Sequence, residues 1–242
     1  IKDFKNGFLP VVIPVFIICG LIMPANLSNA LLTGATSLLL MFIGRVSLKH
    51  ILLTICVALI PILIIVGIAW STYDGQQTTD KSKATTSQKL KSIGRIGTWV
   101  KRVQDHLFAP STETPYQVQQ AKIAIAKGGI LMGKGPGNSE QRNFLPQAYN
   151  DFIYSIIIEE YGLLGAAIII LIYLVFLFRC IRIFRKCPYA FGAFLALALS
   201  FTLVIQAVAN MAVNVNIVQV TGVTLPLVSM GGSSFLFTCA AI

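Results

Sequence analysis

Charge is what this chain has least of: Asp, Glu, Lys and Arg make up only 12% of its 242 residues, nine acidic against nineteen basic, and histidine occurs twice. A soluble domain carries about a quarter of its residues charged, so that class is excluded. Metal-ligand patterns are missing too. The five cysteines, Cys19, Cys56, Cys180, Cys187 and Cys239, lie in or beside apolar runs with no CxxC spacing and no histidine nearby, and read as small hydrophobes rather than zinc ligands. No positively charged stretch with a cleavage site precedes the first apolar run, so no signal peptide is read.

What the chain has in quantity is apolar sequence, 55% of all residues, with a mean hydropathy of +0.77. The runs fall at about 8–23, 27–44, 51–70, 152–178, 189–213 and 222–242. A membrane span needs roughly 20 apolar residues, which gives six candidate spans, the first two and the last being marginal. The expected fold is an all-α polytopic transmembrane bundle, residues 1–242 forming one membrane domain. The chain starts at Ile1 rather than Met and stops at Ile242 inside an apolar run, so it reads as a piece of a longer protein.

Basic residues set the orientation. Lys2 and Lys5, then Arg45, Lys49 and His50, then Arg179, Arg182, Arg185 and Lys186 flank the spans at three sites, which the positive-inside rule makes cytoplasmic. Residues 71–150 then lie on the opposite side as one long extracytoplasmic loop. Its own eleven Lys and Arg do not overturn this, because long loops translocate regardless of charge. Nucleic acid is not the implied partner of the net charge of +10; anionic lipid explains its distribution better.

Within that loop, residues 72–92 are polar enough to be mobile. Ile93, Ile96, Trp99 and Val100, and then Val118, Ala121 and Ile125, recur at helical spacing and predict short helices lying on the membrane surface. Arg95, Lys101, Arg102, Lys122, Lys127, Lys134 and Arg142 interleave with them, a surface suited to phosphate or to lipid head groups. Gly128 to Gly135 nearly spells a P-loop, but Gly135 replaces the magnesium-binding hydroxyl and no apolar strand precedes it. These glycines are expected to turn tightly and approach the membrane or a substrate.

Polar residues inside the spans are costly and need partners. Glu159 and Glu160 fall about two turns into the fourth span. Gln206, Asn210 and Asn214, four apart, share one face of the fifth, and a polar interior and simple interhelical hydrogen bonding both fit them. Residues 221–235 pack Gly, Pro and Ser into an apolar run, and irregular backbone at that depth requires a protein or water-filled surround. Asp151 stands where the polar loop becomes the fourth span. It reads either as a helix cap or as a group doing chemistry on a lipid-borne substrate.

Tyr116-Gln117, the glycine series through Gly137-Asn138-Ser139, Leu145-Pro146, Asp151-Phe152-Ile153, Glu159-Glu160-Tyr161-Gly162, Leu225-Pro226 and Ser229-Met-Gly-Gly-Ser-Ser234 occur in an order that resembles the SEDS family of cell-wall polymerases, the family of FtsW and RodA. The loop and Arg95-Ile-Gly-Thr-Trp99 lean toward the FtsW branch. The resemblance implies a peptidoglycan glycosyltransferase with ten spans, of which this chain supplies about six. It would polymerise lipid II, with an undecaprenyl-linked glycan, at the outer face of the bacterial cytoplasmic membrane during division or elongation, beside a class B penicillin-binding protein.

The same resemblance places the family's essential aspartate on Asp151, as general base. Arg142, Lys134 and Arg95 are expected to receive the leaving pyrophosphate, and Gln117, Glu159, Glu160, Ser233 and Ser234 to line the substrate site. A divalent cation such as Mg2+ could share the pyrophosphate. Gln147, Tyr149 and Asn150 stand where the family commonly has Glu, His and Thr, Asn26 follows Pro24-Ala where an acid is frequent, and Met230 replaces a usual Tyr. Asp151 therefore has no second acid in its own motif. A lipid II flippase is the alternative of another class, and a non-catalytic scaffold a third.

Overall fold

A computed structural model describes residues 7–23, 26–72, 116–146, 148–218 and 222–241. Among them are seven α-helices and one short 3₁₀ turn, and no strand. The chain divides into two compact units, Ile1–Ala30 with Met41–Glu113, and Leu31–Leu40 with Thr114–Ile242. The first holds α1 (Leu9–Ile22) and α3 (Leu48–Thr72), and α2 (Leu27–Ile43) contributes to both. Local chemistry starts these helices. Proline sits in the first turn of α1, where its missing N–H costs nothing, and the Asn26 carboxamide accepts the amides of Ser28 and Asn29 at 3.1 and 3.3 Å to cap α2.

The second unit holds α4 (Tyr116–Gly128), a 3₁₀ turn (Gln141–Asn143), α5 (Ile153–Lys186), α6 (Ala190–Asn214) and α7 (Gly232–Ala241). Of the predicted Val118, Ala121 and Ile125, the first two lie on the buried face of α4 with Ala124 and Gly128, and Ile125 is only partly buried, against the core between α5 and α6. Residues 93–100, the other predicted surface helix, and residues 72–92 lie, but for the end of α3, outside the described residues.

The fourth and fifth runs become α5 and α6, the two described helices long and apolar enough to cross a membrane. α5 continues past its apolar run through Arg179 to Lys186. Basic side chains propagate a helix well, and Arg185 and Lys186 in the last turn complement its dipole. Pro188 then stops it, because the residue before a proline avoids helical geometry. α6 returns along α5, with Phe184 edge-on to Phe194 at 5.3 Å across the turn. Tyr154, Ile158 and Ala166 of α5 meet Ala207 and Met211 of α6 and Leu225 in the core between them. The sixth run, marginal as a span, is helical only in its second half, and 222–231 is the irregular backbone that its Gly, Pro and Ser predict.

α5 is itself broken. Gly162 stands at φ 69°, ψ −170°, so the helical ladder fails around it. The loop after α4 repairs the gap, Lys134 N–H and Gly135 N–H donating to the carbonyls of Glu159 and Glu160 at 3.0 and 2.9 Å, while Leu163 N–H donates to Gly129 O at 3.3 Å. Every backbone group freed at membrane depth needs such a substitute. The approach is close enough to require glycine: a Cβ on Gly128 would lie 2.1 Å from Ile158 O, and one on Gly133 2.3 Å from the Glu160 carbonyl carbon. Those two glycines thus approach α5, not the membrane or a substrate as the sequence suggests.

Candidate functional site

The segment before α5 is anchored from below by Leu145, Ala148, Phe152 and Ile156, packed with Ala121 of α4. Asp151 follows from this anchoring. α5 takes Phe152 as its N-cap with no side-chain cap bond, so the cap reading of Asp151 is overturned: the carboxylate is not what starts the helix. Its main chain is what the fold holds. The Asp151 carbonyl accepts Nδ2 of Asn210 and Nδ2 of Asn214, each at 2.9 Å.

The four-residue spacing on α6 acquires a purpose here. The Asn214 amide oxygen accepts Ser155 N–H at 3.1 Å and Ser155 Oγ–H at 2.7 Å, so one side chain braces both ends of the first turn of α5. Asn210 Nδ2 also donates to Val223 O at 2.6 Å, and Gln206 Nε2 to Thr224 O at 3.1 Å. Ser229 closes the other side, its hydroxyl donating to Asn150 O at 2.6 Å and accepting Leu225 N–H at 2.8 Å, while Met230 N–H reaches Tyr149 O at 2.9 Å. The polar face of α6 therefore joins two irregular strips of backbone, residues 149–152 and 222–230. Ser155 and Ser229 were not picked out singly from sequence; both do their work through partners about 60 to 80 positions away.

The Asp151 side chain is half-buried at the join. A Cβ on Gly222, itself at φ +68°, would lie 3.7 Å from Oδ2, so backbone without a side chain borders the carboxylate there. Among the described residues nothing donates a hydrogen bond to it. Burial without compensating donors pushes its pKa above the usual carboxylate range. The result is a carboxylate with free lone pairs and raised basicity on a fixed main chain.

Glu159 is placed otherwise. It is completely buried, accepting Ser139 Oγ–H at 2.5 Å and the amides of Gln141 and Glu140 at 3.2 and 3.3 Å, with Lys134 Nζ at 3.5 Å. Its oxygens hold the loop. Lys134 is committed as well, bridging to Glu140 at 2.8 Å, and Lys127 reaches the same carboxylate at 2.5 Å. Hydrogen bonds from these two lysines hold Glu140 down to about 2, and the pairing with Glu140 raises Lys134 above an ordinary lysine. Arg142, in the 3₁₀ turn, is half-buried, and among the described residues its guanidinium meets no acid.

Glu160 is half-buried on α5 and Gln117 half-buried on α4, neither side chain bonded to a described residue. Ser233 and Ser234 begin α7, and their side chains lie, with Arg95 and Gln147, outside the described residues. Among the described residues no three His, Cys, Asp or Glu converge as ligands for a cation.

A family model described as "Cell cycle protein", that of FtsW, RodA and SpoVE, matches residues 1–242. A protein of Nitrosococcus halophilus named probable peptidoglycan glycosyltransferase FtsW is 42% identical over 139 residues, 56% of this chain and 36% of that protein. One of the same name from Geobacter sulfurreducens is 29% identical over 244 residues, all of this chain and 58% of its own length. The chain thus spans between about a third and three-fifths of the curated relatives it matches. A solved chain from a peptidoglycan synthase complex coordinating polymerization and crosslinking shares the fold, with a TM-score of 0.61 at 19% identity, over 97% of this chain and 59% of the other.

Proposed function

The chain belongs to the FtsW/RodA/SpoVE family, and from that membership we propose that it carries the general base of a peptidoglycan glycosyltransferase that polymerises lipid II. It is a polytopic helical membrane protein, and the reaction is assigned to the outer face of the cytoplasmic membrane, the side that the distribution of basic residues favours for 71–150. One observation carries the reading: the Asp151 carboxylate is half-buried, unbonded by any described donor and fixed through its own carbonyl by Asn210 and Asn214.

The acceptor is the C4 hydroxyl of N-acetylglucosamine, a poor nucleophile at neutral pH. As its oxygen bonds to the anomeric carbon of the growing strand, its proton passes to Asp151, and the bond from that carbon to undecaprenyl pyrophosphate breaks. A positioned base contributes roughly 10² to 10⁴ in rate, and a carboxylate of raised pKa is the stronger acceptor. Charge develops on the departing pyrophosphate. Of the three candidates, Arg142 is the one to meet it, because Lys134 is paired with Glu140 and Glu159; Arg95 stays a second candidate. Glu159 shapes the site from behind by holding the loop that carries Arg142, whose amide bonds Ser139 Oγ at 3.2 Å. Glu160, Gln117, Ser233 and Ser234 are retained as lining groups.

Polymerisation is preferred to flipping because the curated relatives bear the name of glycosyltransferases. A class B penicillin-binding protein is the proposed partner, in keeping with a related fold found in a complex that couples polymerization to crosslinking. The test uses the complete protein with its partner and labelled lipid II. Asp151→Asn should stop glycan formation while the protein still unfolds cooperatively; normal chain formation by the variant sinks the assignment.

A further inference from the structure

The repaired break in α5 leaves three large apolar residues that no described residue covers. Ile130, Leu131 and Met132 form the tip of the loop that crosses Gly162, and they are 77%, 71% and 90% exposed. Their backbone is pinned on both sides, at Gly129 by Leu163 N–H and at Lys134 and Gly135 by the Glu159 and Glu160 carbonyls. The side chains of Leu163 and Leu164 on the adjoining turn of α5 are likewise about half exposed, at 55% and 51%, so the tip continues the uncovered apolar face of that helix.

We propose that Ile130-Leu131-Met132 is a wedge inserted into the outer leaflet, its occupant the upper acyl chains of the bilayer. Depth supports this. The last apolar residue of α5 before its basic end is Phe178, and a span of about 20 residues at about 1.5 Å each, counted back from it, reaches Glu159. The loop is bonded to residues 159–163, so its tip lies at the outer boundary of the hydrocarbon. Charge agrees with depth: Lys127 and Lys134 flank the tip along the chain and both pair with the exposed Glu140, a polar collar suited to head-group level. An apolar tip with a charged collar at that level needs no protein partner to bury it. This inference rests on α5 crossing the bilayer and not on the reaction proposed above.

The test places a cysteine at Leu131 in the full-length protein with its other cysteines replaced, attaches an environment-sensitive fluorophore, and reconstitutes it in phosphatidylcholine and phosphatidylglycerol vesicles. Pro136→Cys, past Lys134 along the chain and exposed, is the reference. At 131 the emission should shift to the blue, nitroxide on an upper acyl carbon should quench it more than nitroxide at mid-chain, and iodide should quench it several-fold less than at 136. Iodide quenching equal at the two positions would put the tip in water and overturn the proposal. A blue shift that no lipid nitroxide quenches would put it against another protein, and overturns it equally.

Discussion

Asn214 holds Asp151 by the main-chain carbonyl, at 2.9 Å, and leaves the carboxylate alone. The distinction has a mechanistic consequence. A donor on the carboxylate would lower its pKa and occupy a lone pair, whereas a donor on the carbonyl fixes position and leaves basicity intact. Asn214 therefore reads as a positioning residue. Asn214→Ala takes away one of the two donors on the Asp151 carbonyl, Asn210 keeping the other, and leaves the buried Ser155 hydroxyl without its acceptor, a group costing about 1–3 kcal/mol when unpaired. Thermal unfolding should register that loss. In the polymerisation assay kcat should fall by about tenfold or more while KM for lipid II moves little, since geometry at the reacting proton is what is lost. A fall in stability with kcat unchanged would reduce Asn214 to a structural brace.

Glu159 gives the second prediction. Glu159→Ala removes the acceptor shared by Ser139, Glu140 and Gln141 and should destabilise the protein by about 2–4 kcal/mol, with protease cutting between 128 and 144 well before global unfolding. Glu159→Gln keeps one carbonyl oxygen and should lose clearly less. If the two variants behaved alike, the hydrogen bonds assigned to the carboxylate would not be what holds the loop.

Legibility in the sequence followed the range of the interactions. The span positions and α4 were readable because a 3.6-residue period is a local property, and Val118 and Ala121 fell on the buried face as spaced. The need of Glu159 for a partner was readable from its depth, but not the partner, since Ser139 lies 20 residues away along a loop of no regular pattern. Asp151 looked like a cap because Asp before an apolar run usually is one. What moved the helix start to Phe152 was packing of Leu145, Ala148 and Phe152 on Ala121, together with an asparagine face about 60 residues later. Lys134 looked free for a phosphate because nothing local shows that a turn will fold Glu140 back onto it.

Titration of Asp151 yields a third prediction, in which activity and stability move oppositely. Its folded pKa lies above the ordinary value of 3.8 because of burial, so the neutral form is favoured in the native state and the stability tied to it is full below 3.8 and lost as pH rises through the folded value. At neutral pH the ionised carboxylate therefore burdens the fold. Asp151→Asn should raise the melting temperature at pH 7, with the difference shrinking as pH falls toward 3.8, even as polymerisation disappears. A variant no more stable than the parent at pH 7 would contradict the burial argument.

Glu140 runs the other way. Lys127 and Lys134 hold it near 2 against an ordinary 4.5, so its contribution is present above 4.5 and is lost as pH falls from there through about 2. Glu140→Gln should flatten the acid limb of a stability profile over that window. Because the pair is solvent-exposed, salt should weaken the effect. A profile unchanged by the substitution would show that the lysines stabilise nothing there.

Glycine substitutions separate two reasons for needing glycine, and the comparison tests the helix repair directly. Gly137 has φ +80°, and a Cβ added there would meet nothing within 4 Å, so Gly137→Ala should cost only left-handed backbone strain, about 1–2 kcal/mol. Gly128 is helical and unstrained, but its Cβ would lie 2.1 Å from the carbonyl oxygen of Ile158, a backbone atom that cannot swing aside. Gly128→Ala must lift the loop from α5, and with it the three hydrogen bonds that close the break at Gly162. The expected loss exceeds that of Gly137→Ala by a margin that thermal unfolding resolves, and amide exchange at Leu163, slow in the parent, should become fast. Equal losses for the two variants would mean that the loop is not seated on the broken helix, and the outer-leaflet wedge would lose its anchor along with it.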